Sequence, residues 1–386
     1  LAVTCLEEAY HRAHGNEDQR ETEEILELLE NAYDAMDVAE DSPKRAELDV
    51  RRGVPMIYSD QTARFEAGLQ LLARAEKIAR SSNDKMLLVS ILRAQAWATL
   101  HSFEEEAGLE KIDEAIEILP DSHKELAPCR QTRGALLLSL DQVEEAIVDL
   151  ETTLELAPDS IQAVWAKQQL GECARRQGRL EVGKKLLREA IEEAEVKNVL
   201  LAQAAAHESL GLIAFEEQIF DAAEDAHQQA FKIRELMGGD STQRSRSWEF
   251  LGRAFFFEGQ YQKAFDIAET LQKKLEDGHR GRVIHPADLL LATVARLQKW
   301  ELWDSYAAEA IEFARKPEPW HISTLLEAGR AAHEGGQRLF ASALLHQLSA
   351  LLEESDLFPE LQIQVQELLD DVALDDELDE LDLLDE

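Results

Sequence analysis

Between Ile161 and Lys197 the apolar residues fall on two helical faces. Val164, Trp165, Leu170 and Ala174 mark the first, Leu180, Leu186, Leu187, Ala190, Ile191 and Ala194 the second, and Gly178 with Arg179 separates them. The period of about 3.6 residues predicts an antiparallel pair, helix A from Ile161 to Gln177 and helix B from Leu180 to Lys197. Two such helices cannot bury both apolar stripes against each other alone, so a neighbouring pair has to complete the core.

The same pattern returns along the chain. Ala96, Gly134, Gly171, Gly211, Gly252 and Gly329 recur at one phase, with Leu291 in the one gap, at steps of 37 to 41 residues. Second and third small positions follow in the same order, as in Gly171, Gly183, Ala190 and in Gly211, Ala223, Ala230. Glycine inside a helix costs about 1 kcal/mol relative to alanine. Its return at one phase therefore predicts a close crossing: Gly171 where helix A meets helix B, and Ala190 where helix B meets the next helix A.

The pattern resembles the tetratricopeptide repeat. The unit from Ser245 carries it most fully, in Trp248, Leu251, Gly252, Phe255, Gly259, Tyr261 and Ala264, and Pro120 and Pro158 stand where the family closes helix B. The period near 39 exceeds the family's 34, and Leu291, Trp303, Thr153 and Leu271 replace small residues. The resemblance implies an all-α solenoid, a right-handed superhelix of about eight repeats over 49–352. An N-terminal helix pair would occupy 1–48 as a degenerate or capping repeat, and a capping helix 353–372. Residues 373–386, where acids alternate with Leu374, Leu378, Leu381, Leu383 and Leu384, read as a disordered acidic tail.

Composition narrows the partners. With 78 acidic against 40 basic residues the net charge is -38, which opposes direct binding to nucleic acid or to an anionic membrane. Cys5, Cys129 and Cys173 are too few and too scattered for a disulfide framework, which favours a cytoplasmic setting. The chain starts at Leu1 and not at Met, as expected of a trimmed or partial chain.

No phosphate-binding glycine loop, nucleophile elbow or zinc-protease helix motif stands in the sequence, so neither catalysis nor a cofactor is expected. Cys5, His11 and His14 are the nearest approach to a metal set and lack a second pair. The resemblance implies instead a concave face made by the A helices, holding a protein or peptide segment. Trp97, Trp165, Phe215 and Phe256 fall on that face, and Trp248, Phe255 and Tyr261 on the core. Arg93, Gln131, Gln168, Arg175, Glu208, Arg246, Glu249 and Arg253 lie beside the groove aromatics and would pair with an extended segment. Some members of the family clamp a terminal carboxylate with Lys and Asn. Here those positions carry Gln131, Ala135, Gln168 and Glu172, which argues against a chaperone-tail receptor. A basic patch of Lys167, Arg175, Arg176, Arg179, Lys184, Lys185 and Arg188 interrupts the acidic background, and the tail, from the same or a second molecule, would dock there. Two functions fit: a non-enzymatic scaffold or adaptor, and the sensory or regulatory arm of a larger signalling protein such as a kinase or nucleotide-dependent switch.

Overall fold

The computed structural model describes residues 39–57, 62–100, 102, 104–236, 242–276, 286–313, 319–355 and 359–382. All regular structure in them is helical. The pairs are α1 (Pro43–Met56) with α2 (Thr62–Ser82), α3 (Lys85–Thr99) with α4 (Glu105–Ile118), α5 (Leu126–Ser139) with α6 (Val143–Leu156), and α7 (Ile161–Arg176) with α8 (Leu180–Lys197). They continue as α9 (Leu200–Glu216) with α10 (Phe220–Leu236), α11 (Thr242–Phe257) with α12 (Tyr261–Glu276), α13 (Ala287–Arg296) with α14 (Trp303–Phe313), and α15 (Pro319–Glu334) with α16 (Arg338–Ser355). A last helix, α17 (Pro359–Asp382), packs on α15 and α16. It runs without a break past Ala373, so the backbone of the tail is helical to Asp382, where disorder was expected. The N-terminal pair expected in 1–48 lies outside the described residues up to 38.

The phased glycines sit where the sequence places them. A methyl group on Gly171 would come within 2.7 Å of Leu187 on α8, and one on Gly134 within 2.8 Å of Leu150 on α6. On Gly211 it would meet the His227 ring at 2.5 Å, and on Gly329 Leu345 at 2.8 Å. Each glycine therefore lets helix B cross helix A at a distance that a side chain would prevent.

Seven residues after each phase position from Gly134 to Gly329 the chain turns left-handed. Asp141, Gly178, Gln218, Gly259, Gln298 and Gly336 all have φ between 55° and 79°. The next amide closes the helix end in the same way each time: Arg179 N donates to the Ala174 carbonyl at 2.8 Å, Gln260 N to Phe255 at 2.8 Å and Lys299 N to Val294 at 2.9 Å. This six-to-one bond is the Schellman stop, which takes up an otherwise orphaned carbonyl. Its presence at Gln298 fixes the register of the unit around Leu291, where the small residue is missing.

The chain forms two compact units, divided between Ser247 and Trp248. In the first, successive A helices touch, α3 with α5, α5 with α7 and α7 with α9, while the B helices between them meet chiefly A helices. The A helices therefore form the inner side of this unit. Its apolar core is a series of small clusters, such as Leu187, Ala190, Ala206 and Ile213 between α8 and α9. The second unit has one continuous core that includes Phe255, Phe265, Trp303 and Leu345. At its centre α13 is buried from Ala287 to Ala295, wrapped by α12, α14 and α15. Trp248 and Tyr261 pack against that core, as expected of them.

Candidate inner-face site

Three residues before each phase position from Ala96 to Leu291 the A helices carry a polar residue: Arg93, Gln131, Gln168, Glu208, Glu249 and Asp288. Helical geometry puts all of them on one face, and the structure shows what they do there. Gln131 Nε2 donates to Gln169 Oε1 at 3.0 Å, and Gln168 Nε2 to Ser209 Oγ at 3.1 Å. Glu208 accepts from Arg234 Nε at 2.9 Å and Nη2 at 3.0 Å, and from the Ser247 hydroxyl. Each bond except that from Arg234 joins one A helix to the next, so the row is a ladder of buried contacts between repeats.

Arg175 belongs to the same system. It is 6% exposed, bonds Glu172 at 2.5 and 2.8 Å, and reaches across to Glu216 on α9. Burial pushes the Glu172 carboxyl up, but the charges and hydrogen bonds of Arg175 and Arg176 outweigh it and hold the pKa at about 2. Burial also raises Glu216, and there it prevails over Arg175.

In the second unit the equivalent positions close on themselves. Arg253, 1% exposed, donates to Asp288 at 2.6 and 2.9 Å, to Glu249 at 2.8 Å and to the Thr324 hydroxyl at 3.0 Å. His321 Nδ1 stands 2.9 Å from Asp288 Oδ2. Burial alone would lower the Arg253 pKa and raise that of Asp288. Their mutual attraction, with Glu249 and His321 joining, moves both the other way.

Several expectations are thereby corrected. Gln131, Gln168, Arg175, Glu208, Glu249 and Arg253 are buried and bonded to neighbouring side chains, so they are not presented to a partner. Phe256 is buried against Phe257 and Tyr261, part of the core. Phe215 remains half-buried, edge-on to Phe220 at 5.6 Å. The side chain of Arg246 lies outside the described residues, as do Cys5, His11 and His14. The basic patch is largely spent on the protein's own acids: Lys167 on Glu193, Arg176 on Asp141 and Glu172, and Lys184 on Glu181 and Glu217. Arg179 meets Gln177, Lys185 stands 3.9 Å from Glu189, and Arg188 is exposed. An acidic tail would have to displace carboxylates already in place.

What stays open is one end of the ladder. Arg93 and Trp97 lie one turn apart on α3, both half-buried. Trp165, half-buried on α7, meets the Trp97 ring edge-on at 6.5 Å, although α5 lies between their helices. Arg93 Nε and Trp97 Nε1 are shut off from solvent and meet no acceptor among the described residues. Thr132, the corresponding residue on α5, donates its hydroxyl to the Pro128 carbonyl at 3.0 Å and makes no bond to Arg93.

The sequence reading missed the acceptors Gln169, Ser209, Glu216, Asp288 and His321. The repeat step carries the signal, because Gln131 to Gln169 and Gln168 to Ser209 are each about one repeat apart. Other chemistry is sparse. Burial pushes the Cys129 thiol up to about 11 and Cys173 to about 12, so both act as small apolar residues. Among the described residues no group of three or more His, Cys, Asp or Glu is placed to hold a metal. No helix there is long and apolar enough to cross a membrane.

No family model matches the chain, and no curated protein does. Solved structures do match. Aspartyl phosphate phosphatase F from Bacillus subtilis superposes with a TM-score of 0.54 at 10% identity, over 91% of this chain and 92% of its own. A Rap protein complexed with competence and sporulation factor gives 0.51 at 13% identity, over 97% of this chain and 98% of its own. Identities this low speak to architecture alone. Together with the phased glycines and the recurring helix stop, they establish that the chain has the fold of the tetratricopeptide-repeat proteins.

Proposed function

We propose that the chain is a non-catalytic interaction module that holds a segment of a partner protein on the inner face of its first unit. The observation that carries this reading is the cluster of Arg93, Trp97 and Trp165. Half-buried indoles beside a guanidinium that meets no carboxylate among the described residues have the composition of a binding hot spot. The Rap neighbour, complexed with competence and sporulation factor, supports the reading by analogy of fold. The test is capture from the native host with three immobilised chains: wild type, Trp97→Ala with Trp165→Ala, and the outer-surface control Val196→Ser. A partner kept by the first and third and lost by the double variant is the expected result. A partner kept equally by all three removes the inner face from the reading.

A second reading, the regulatory arm of a larger signalling protein, draws support from the phosphatase neighbour. A natural transcript encoding this chain with no additional domain would remove it.

A further inference from the structure

Every other arginine on the first three A helices with a described phase position holds a carboxylate. Arg130 reaches Asp149 at 2.6 Å and Arg133 lies 3.1 Å from Asp113, while Arg175 and Arg176 share Glu172. Arg93, in the same row and half-buried, makes no hydrogen bond or ion pair among the described residues. A guanidinium fork matches a carboxylate through two parallel N–H donors, the geometry this protein already uses between Arg253 and Asp288. The indole of Trp97, one turn along, adds a further unmet donor, and Trp165 across α5 adds an apolar ring face. A buried donor without an acceptor is unfavourable, so the site gains from any ligand that supplies one.

We propose that Arg93, Trp97 and Trp165 form a subsite for an acidic side chain, Asp or Glu, next to a large apolar residue in an extended partner segment. The carboxylate sits on Arg93, with a small adjustment of its side chain bringing the fork and the Trp97 N–H to the two oxygens. The apolar neighbour lies against the indole pair. This rests on the inner-face reading above and makes it specific: in a protein with a net charge of -38 the preferred segment still carries an acid at one position. Long-range charge favours basic partners, whereas the local fork selects a carboxylate.

The experiment uses an array of ten-residue peptides of randomised sequence, acetylated and amidated at their ends, probed with the full chain as wild type, Arg93→Gln, Arg93→Glu and Trp165→Ala. A parallel array leaves the C-terminal carboxylate free. Retained wild-type peptides should be enriched in Asp or Glu beside Leu, Phe or Trp. Arg93→Gln should weaken them about tenfold or more, the usual worth of a charge-assisted pair, and Arg93→Glu should exchange the acid for Lys or Arg. Melting curves of the Arg93 variants should overlay that of wild type, since the side chain holds no bond among the described residues; if Arg93→Glu melts early, Arg93→Gln decides. Peptides retained without an acid preference but lost on Trp165→Ala would overturn the subsite and leave the inner-face reading standing. A preference confined to free C-termini would overturn the side-chain assignment. Retention indifferent to both residues, or none at all, would overturn the subsite and that reading together.

Discussion

Arg93 and Arg253 stand on A helices of the two units, four residues apart in repeat phase, and are treated in opposite ways. Around Arg253 the second unit supplies Glu249, Asp288, His321 and Thr324, and a continuous core closes over them. Around Arg93 the described residues of the first unit supply two indoles and no acceptor. A buried charge is tolerable only when it is paired and hydrogen-bonded. The second unit meets that condition at Arg253 internally; among the described residues the first leaves it unmet at Arg93. A charged residue in a repeat phase is therefore no guide to binding until its partners are known.

The comparison breaks most sharply at Arg253. Replacing it with Ala strands Glu249 and Asp288 in the core and should cost about 3 to 5 kcal/mol, read as a lower denaturant midpoint. A cost under about 1 kcal/mol would show that the network is open to water and not comparable with a closed lock.

Next in size are the close crossings. Gly171→Ala drives a methyl group to within 2.7 Å of Leu187, and overpacking of this kind costs about 1 to 3 kcal/mol, partly offset by about 1 kcal/mol of helix propensity. Gly171→Ala combined with Leu187→Ala should cost less in thermal melts than the sum of the two single substitutions, whereas Gly171→Ala with Leu150→Ala should be additive.

Acid should expose the Arg175 lock. Glu172 is held at about 2 in the fold, against about 4.3 in an unfolded chain, so its contribution is fully present above about pH 5 and fades as the pH falls towards 2. The stability gap between wild type and Glu172→Gln should narrow across that window. A gap independent of pH there would show that Glu172 is not the group that titrates.

The smallest effect belongs to Arg93. Arg93→Gln should leave stability within about 0.5 kcal/mol of wild type, while Gln168→Ala, which orphans Ser209, should cost about 1 kcal/mol. If Arg93→Gln is the more damaging of the two, Arg93 belongs with Arg253 as a structural residue and the contrast between the units disappears.

Much of the fold is legible before any coordinates. The 3.6-residue stripes of Val164, Leu170 and Leu187 give the helices. The phased glycines give their pairing, and the left-handed turn at Gly178 recurs in phase even where the residue is Asp141, Gln218 or Gln298. The site was legible in part. Trp97, Trp165 and Arg93 are found by phase alone, but the same phase also selects Glu208, Glu249 and Arg253, which turn inward to their own partners.

Sequence by itself determined the local geometry, because helix period, glycine spacing and turn position depend on neighbours within a few residues. It also set the repeat step, since a steric requirement at each crossing leaves a mark at each Gly. Only the tertiary structure decided which polar side chains are spent and which are available. That choice depends on whether an acceptor about one repeat away, Gln169 for Gln131 or Ser209 for Gln168, reaches hydrogen-bonding distance. For Arg93 the residue one repeat on is Thr132, whose hydroxyl bonds the Pro128 carbonyl and not Arg93, and the guanidinium is left without a counter-charge among the described residues.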